Sequence, residues 1–359
     1  MKRILIVGIT EGFGGVETFI CNIKKNISQD IKIDFLVHQN VNEKLHDIIY
    51  SNHSNVYKVT GIKKNFIKYI RDIFKFYKNH KYDVIHLNEC DAKMFLYCLP
   101  ILFDKKTKLI VHSHSTSASN AIIHKIICFF QNRRANVKWA CSSSAYKYMF
   151  GRNDNEIIIH NGIELEKYRY DKKIREKKRK ELGLKDELVF CSIARFTNEK
   201  NHEKIVDVFY EYSKINNNSK LVLVGIGPLQ ERIKEKVKKL GINEKVMFLN
   251  SRDDVNELYS AFDIFLLPSL YEGLPFVSLE GQTNGIKFFA SDKVSGDIAI
   301  TDLVTFINLE KNSKEWAQII ATKIKDRYNR SDEKYPQMIS AAGYDIKKVC
   351  SIIEKEYRK

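Results

Sequence analysis

Phe262 to Asp292 reads FDIFLLPSLYEGLPFVSLEGQTNGIKFFASD. Ile264 to Leu267 is an apolar run of strand length, stopped by Pro268 and Ser269. Leu274-Pro275 predicts a helix start, with proline at the first helical position, where its missing N–H is no loss. Asn284-Gly285 predicts the stop, and Ile286 to Ser291 the next buried strand. Strand, loop, helix, strand is the repeating unit of a parallel α/β sheet. Glu272 falls in the loop and Glu280 within the helix. A helix N-terminus favours phosphate, and a carboxylate with two acceptor oxygens suits a vicinal diol. Together they point to a ligand of sugar-nucleotide type, although two solvated glutamates would satisfy the spacing alone.

The same alternation extends upstream. Leu188 to Ile193 is a strand ending in Ala194-Arg195-Phe-Thr-Asn-Glu-Lys200, where two cations could clamp a diphosphate. Lys220 to Val224 is a strand, and Gly225-Ile-Gly227-Pro228 turns into a helix from Leu229 to Leu240. Val246 to Leu249 is a strand leading to Asn250-Ser-Arg252-Asp-Asp254. Asp253-Asp254 predicts helix capping ahead of Val255 to Ala261 rather than a metal clamp. Downstream, Val304 to Ile307 is a terminal strand, Trp316 to Tyr328 a helix, and Tyr344 to Tyr357 a basic amphipathic helix.

In the first half, Arg3 to Gly8 has the near-continuous apolar character of a strand buried on both faces. Gly14-Gly15 then precedes a helix from about Val16 to Asn26, and Glu17 suits the positive end of its dipole. The glycines allow close backbone approach to a ligand, but the spacing is not the dinucleotide G-x-G-x-x-G, and taken alone they read as a plain tight turn. Lys32 to His38, Tyr82 to Asn88, Leu109 to Val111, Val137 to Ser142 and Ile157 to Ile159 are further strands. Asn65 to Lys78 is a basic amphipathic helix, and a second helix is expected from Ala92 to Phe103. His112 and His114 follow a strand on one face, with no third ligand nearby to make a metal pair credible.

The chain of 359 residues is comfortable for two domains. Lys+Arg exceed Asp+Glu by 60 to 44, a net +16, which fits either attraction to anionic surfaces or a lysine-rich compositional bias. No nucleic-acid recognition motif accompanies the charge. Seven scattered cysteines without C-x-x-C predict a reducing compartment, without zinc or a disulfide frame. The apolar run before Glu11 is short for a signal peptide, and Met94 to Phe103 is far below spanning length. A cytoplasmic protein is expected, with peripheral contact at the inner membrane face.

Glu272-Gly-Leu-Pro…Glu280 resembles the E-x7-E motif of retaining glycosyltransferases of family 4, most of all the exopolysaccharide and capsule enzymes. Arg195…Lys200 is similar to the family's R-x4-K, with Ala194 where glycine is usual. GGVE at 14–17 is similar to its GGxE opening, HSHST at 112–116 to its H-S-H-N stretch, and Asn161-Gly-Ile-Glu164 to its N-G-I/V-D, with Glu for Asp. The resemblance covers essentially the whole chain and is strongest over 188–292. It implies an α/β GT-B fold, two Rossmann-like domains facing across a cleft: an acceptor domain over 1–164, a donor domain over 165–335, and 336–359 returning to the first.

It also implies a retaining enzyme moving sugar from a nucleotide-diphosphate donor, UDP foremost, to a lipid-linked saccharide, without metal or cofactor. By that resemblance His114 contacts the donor sugar, Arg195 and Lys200 stabilise the leaving diphosphate, Glu272 holds the sugar and Glu280 the ribose. Gly14, Gly15, Gly225, Gly227, Arg252, Gly273, Leu274 and Phe276 are the expected remaining donor contacts. The alternatives are a soluble acceptor, a GT-B epimerase, or a non-catalytic binder of membranes or polyanions on a degenerate scaffold.

Overall fold

The apolar runs become the strands of two separate parallel sheets. A computed structural model describes residues 2–12, 14–51, 54–151, 155–325, 330–331 and 333–359, with Lys44 described by its backbone alone. The chain divides into two compact units, Met1–Gly162 with Gly343–Lys359, and Ile163–Ala342.

Among the described residues of the first unit, seven parallel strands lie in the order β3-β2-β1-β4-β5-β6-β7. They are β1 (Arg3–Val7), β2 (Lys32–Val37), β3 (Val56–Lys58), β4 (Val84–Glu89), β5 (Lys108–Ser113), β6 (Val137–Ala140) and β7 (Ile157–Ile158). The helices are α1 (Gly15–Asn26), α2 (Glu43–Ile49), α3 (Phe66–Asn79), α4 (Ala121–Arg134) and α5 (Ser143–Phe150). One apolar layer, from Ile4, Phe19 and Phe35 to Val349 and Tyr357, lies on one sheet face, and another, from Leu5, Tyr69 and Ile85 to Val111, on the other. Residues buried on both faces explain the near-continuous apolar strands. The expected helix over Ala92 to Phe103 is instead a 3-10 helix, Ala92–Ile101, with Pro100 inside it; proline removes a donor and clashes with a preceding α-helical turn.

In the second unit, six described strands run β10-β9-β8-β11-β12-β13, all parallel. Short helices α6 (Leu165–Tyr168) and α7 (Lys172–Glu181) precede β8 (Leu188–Ile193). There follow α8 (His202–Ile215), β9 (Ser219–Val224), α9 (Gln230–Lys239), β10 (Val246–Leu249), α10 (Val255–Ala261), β11 (Ile264–Leu267), α11 (Phe276–Thr283), β12 (Lys287–Ser291), β13 (Val304–Ile307), α12 (Ser313–Lys323) and α13 (Lys334–Ala341). Pro275 occupies the N-cap of α11 in extended conformation, so the helix starts one residue later than expected. The expected extension of α12 through 326–328 lies outside the described residues.

The last helix, α14 (Ile346–Arg358), belongs to the first unit, where Ile346, Val349, Ile353 and Tyr357 pack with β1 and α1 residues. Among the described residues, no helix is long and apolar enough to cross a membrane.

Candidate functional site

Each sheet changes winding direction beside its first strand: β1 lies between β2 and β4, and β8 between β9 and β11. Loops leaving adjacent strands diverge at such a point and open a crevice at the carboxyl ends. In the second unit the loop after β8 carries Arg195 and Lys200, and the loop after β11 carries Glu272. Lys200 Nζ donates to Glu272 Oε1, with both side chains mostly buried. Ser269 Oγ donates to the same oxygen at 3.3 Å. Asn201 holds the two loops in register: it is left-handed (φ 52°), its amide donates to the Pro268 carbonyl at 3.1 Å, and its Oδ1 caps α8. Arg195 projects into solvent from the same loop.

Gly225 and Gly227 shape that loop by close approach. Gly225 has φ 141°, and a Cβ there would sit 2.1 Å from the Ala194 carbonyl oxygen. A Cβ on Gly227 would lie 2.6 Å from the backbone of Phe196. Phe196 N–H donates to the Ile226 carbonyl, and Leu229 N–H to that of Phe196, so the glycine turn is bonded directly to the segment presenting Arg195.

Glu280 lies in α11, one wall of the same crevice. Tyr259 hydroxyl donates to its Oε2 at 2.6 Å, and Tyr168 also bonds to it. Burial pushes the Glu280 pKa up, while the two tyrosine hydroxyls pull it down. Gly273 is exposed with open space around it, and Leu274 and Phe276 lead into the first turn of α11, whose N–H groups have no helical acceptors. The Arg252 guanidinium donates twice to Asp254, at 2.7 Å each. The expected capping of α10 by Asp254 is not made, because its carboxylate binds Arg252 and Lys178 instead. These cations hold its pKa far below the usual range.

In the first unit, the loop after β1 is organised by Glu17. Its carboxylate accepts from Thr10 N–H (3.0 Å), Thr10 hydroxyl (2.6 Å) and Gly14 N–H (3.1 Å). Gly14, which has no side chain to cap with, starts α1 together with Gly15 by this bond. His114 stands just past β5. Its Nε2 lies 3.0 Å from Asn88 Oδ1 at the end of β4, and its ring tilts over His112 with centroids 4.2 Å apart. Burial lowers its pKa to about 3, with Asn161 partly opposing the shift, so the ring is neutral at physiological pH. His112 is fully enclosed, its Nε2 on the Ile159 carbonyl, as a packing residue should be. Among the described residues, no group of three His, Cys, Asp or Glu side chains could hold a metal ion.

Asn88, Asn201, Tyr168 and Tyr259 complete these arrangements without having been singled out from sequence. Tyr168 and Tyr259 had no motif to mark them. Asn201 adjoins Lys200, and an asparagine directly before a helical pattern was its one available signal.

Residues 174–344 match the family described as Glycosyl transferases group 1. EpsF of Bacillus subtilis, named as a glycosyltransferase, is 28% identical over 337 residues, covering 89% of this chain and 87% of that one. An Escherichia coli protein named UDP-Gal:alpha-D-GlcNAc-diphosphoundecaprenol alpha-1,3-galactosyltransferase is 26% identical over 286 residues, covering 67% of this chain and 69% of its own. Among solved structures, Anabaena HepE in complex with UDP superposes with a TM-score of 0.78 at 20% identity, over 100% of both chains. The fold is therefore that of the GT-B glycosyltransferases, built from two Rossmann-like α/β domains.

Proposed function

We propose that this chain, whose residues 174–344 constitute a glycosyltransferase group 1 domain, moves a sugar from a UDP-sugar to a lipid-linked saccharide in polysaccharide biosynthesis, with retention at the anomeric carbon. The observation that carries this is the Lys200–Glu272 pair at the switch point of the second sheet, beside Arg195 and the tyrosine-held Glu280. Glu272 neutralises Lys200. When a donor enters, Lys200 and Arg195 turn to the diphosphate and Glu272 accepts from sugar hydroxyls. Tyr259 and Tyr168 leave Glu280 oriented to accept from the ribose.

As the C1–O bond to the β-phosphate breaks, the two cations stabilise the departing negative charge. The acceptor oxygen bonds C1 from the same face and gives its proton to a departing phosphate oxygen. Front-face attack of this kind needs no covalent nucleophile, and the two cations supply the neutralisation otherwise assigned to a divalent metal. Neutral His114 offers an uncharged hydrogen bond to the sugar.

Support for the donor comes from the UDP bound to HepE and from the UDP-Gal in the name of the E. coli relative; the latter also names a diphosphoundecaprenol acceptor. Contact with the cytoplasmic membrane face is supported by α4, where Ile122, Ile126, Phe129 and Phe130 are at least half exposed beside Lys125 and Arg133. An apolar face with a basic border is the pattern of interfacial helices.

The test is incubation with UDP-glucose, UDP-galactose and their N-acetyl forms plus a prenyl-diphosphate saccharide, with and without EDTA, reading product mass and anomeric configuration. A product of retained configuration formed in EDTA is expected. An inverted linkage, or turnover abolished by EDTA and restored by Mg²⁺, would overturn the mechanism; no use of any nucleotide sugar would overturn the activity.

A further inference from the structure

A cavity of about 970 Å³ lies within the first unit at the carboxyl ends of β2 and β3. His38 and Val59–Thr60, just past those strands, form its floor, and the head of α3 forms one wall. Ring stacking of His38 on Tyr97, centroids 4.6 Å apart, closes another side. Five lysines line it, Lys58, Lys63, Lys64, Lys68 and Lys93, against two carboxylates, Glu11 and Asp72.

The positive charge is only partly compensated from within. Lys58 Nζ bonds the neutral Asn40 amide, and Lys93 reaches Ser119 at 2.6 Å and Asp91 at 3.6 Å. Among the described residues, no carboxylate lies within 4 Å of Lys63, Lys64 or Lys68. Asp72 accepts from the Thr60 hydroxyl at 2.6 Å, and that bond, together with the charges of Lys68 and Arg71, holds its pKa down.

The first turn of α3 repeats the anomaly. A helix N-terminus is positive and favours acidic residues, yet this one has none there and presents Lys68 instead. Five lysines lining one cavity beside a positive helix end repel one another, and a polyanion removes the repulsion. Beside them, in the same turn, Phe66 is 63% and Ile67 83% exposed. A ligand satisfying both halves has a multiply charged phosphate head and an apolar tail.

We propose that this cavity binds the diphosphate of a prenyl-diphosphate lipid, the lysines holding the phosphates and Phe66 and Ile67 receiving the first units of the chain. This rests on the transferase reading above, for which it supplies the site of the acceptor's lipid diphosphate. The Glu11 segment on the cavity wall belongs to the same loop as Gly14 and Gly15, so the diphosphate is held next to the loop that follows β1.

The experiment is calorimetric titration of the full-length protein with geranyl diphosphate, inorganic pyrophosphate and geraniol at 150 mM salt on the order used for anionic ligands. Geranyl diphosphate should bind at least about 10-fold more tightly than pyrophosphate, with geraniol weaker still. Lys63→Gln/Lys64→Gln/Lys68→Gln, all surface changes, should weaken geranyl diphosphate by about 10-fold or more and leave UDP-glucose binding unchanged. Phe66→Ser/Ile67→Ser should bring geranyl diphosphate down to the level of pyrophosphate. Undiminished binding by the triple lysine variant would overturn the site. Pyrophosphate binding as tightly as geranyl diphosphate would make it a free-phosphate site and overturn the lipid assignment. UDP-glucose binding is read separately, so failure of the donor site and failure of this cavity give different results.

Discussion

Lys200 Nζ and the Glu272 carboxylate form an ion pair between the loops that leave two adjacent strands, β8 and β11, 72 residues apart in the chain. Both side chains are mostly but not fully buried, so solvent screening keeps the pair's own contribution to stability modest. If both act on the donor, Lys200→Ala should lower kcat by roughly 100-fold, and Glu272→Gln by a comparable factor. The double variant should lose clearly less than the product of the two, since each single change already disables the partner. A kcat/KM double-mutant cycle measures this, and strict additivity would mean the pair does not act as a unit.

Tyr259 gives a test that separates binding from chemistry. Its hydroxyl holds Glu280 at 2.6 Å while its ring lies parallel to Phe265 in the core. Tyr259→Phe keeps the ring and removes a hydrogen bond to a charged group, a change of about 1.5–3 kcal/mol. UDP affinity should fall roughly 10-fold or more, with kcat within about twofold, because Glu280 is assigned to the ribose and not to the reacting carbon. Isothermal titration of UDP alone provides the number, and unchanged affinity would remove Glu280 from the nucleotide site.

The strands were legible because each is short, apolar and ended by turn residues, as in LVFCSI at 188–193 or IFLL at 264–267. Helix α4 was not. Its isoleucines and phenylalanines lie largely outside, while His124, Cys128 and Gln131 face inward, so no apolar stripe marks the core side. Three-residue β3 and the short α2 carry too little pattern to stand out. Within the candidate site, the charged residues could be chosen from spacing and resemblance. Their supports could not: Tyr168, Tyr259 and Asn88 act through contacts made by the tertiary fold, and nothing in their local sequence announces them. Arg252 could likewise be chosen by its position in the chain, while its pairing with Asp254 is visible only in the fold.

Two glycines that sequence treats alike should respond differently to alanine. Gly227→Ala would drive a Cβ into the Phe196 backbone, whereas Gly273 has nothing within 4 Å. Gly227→Ala should lower stability by about 1–3 kcal/mol as the loop is forced aside, and should weaken donor use because Arg195 moves with it. Gly273→Ala should leave the melting temperature within about 1–2 °C of the parent. Differential scanning fluorimetry of both compares them directly; equal melting temperatures would show that the loop yields freely.

Stability should peak near neutral pH, for reasons traceable to one cluster in the first unit. His86, His112 and His114 stack at centroid separations of 5.5 and 4.2 Å, enclosed by Trp139, Phe19 and Tyr357. Burial takes His86 and His114 down to about 3 and His112 well below its usual value. Below about pH 6.5 the unfolded chain binds protons on these rings that the native state refuses, so stability falls with acidification, by up to about 1.4 kcal/mol per pH unit for each ring. Glu89, buried beside Gln131, has the opposite sign: burial raises its pKa well above the ordinary value. Above about pH 4.5 the native state retains a proton that the unfolded chain has lost, so this group subtracts stability as pH rises. Past pH 6.5 the histidine contribution is complete, the Glu89 penalty persists, and the buried cysteines, whose pKa values burial also raises, subtract further stability towards pH 9. Melting temperature measured from pH 5 to 9 should therefore rise, pass through a maximum near 6.5–7 on the order set by unperturbed histidine, and decline. Glu89→Gln should raise stability at pH 7 and above relative to pH 5 and leave the acid side steep, while His86→Gln should make the acid side shallower by about one proton. An unchanged difference in stability between pH 5 and pH 7 in Glu89→Gln would show that Glu89 carries no such penalty.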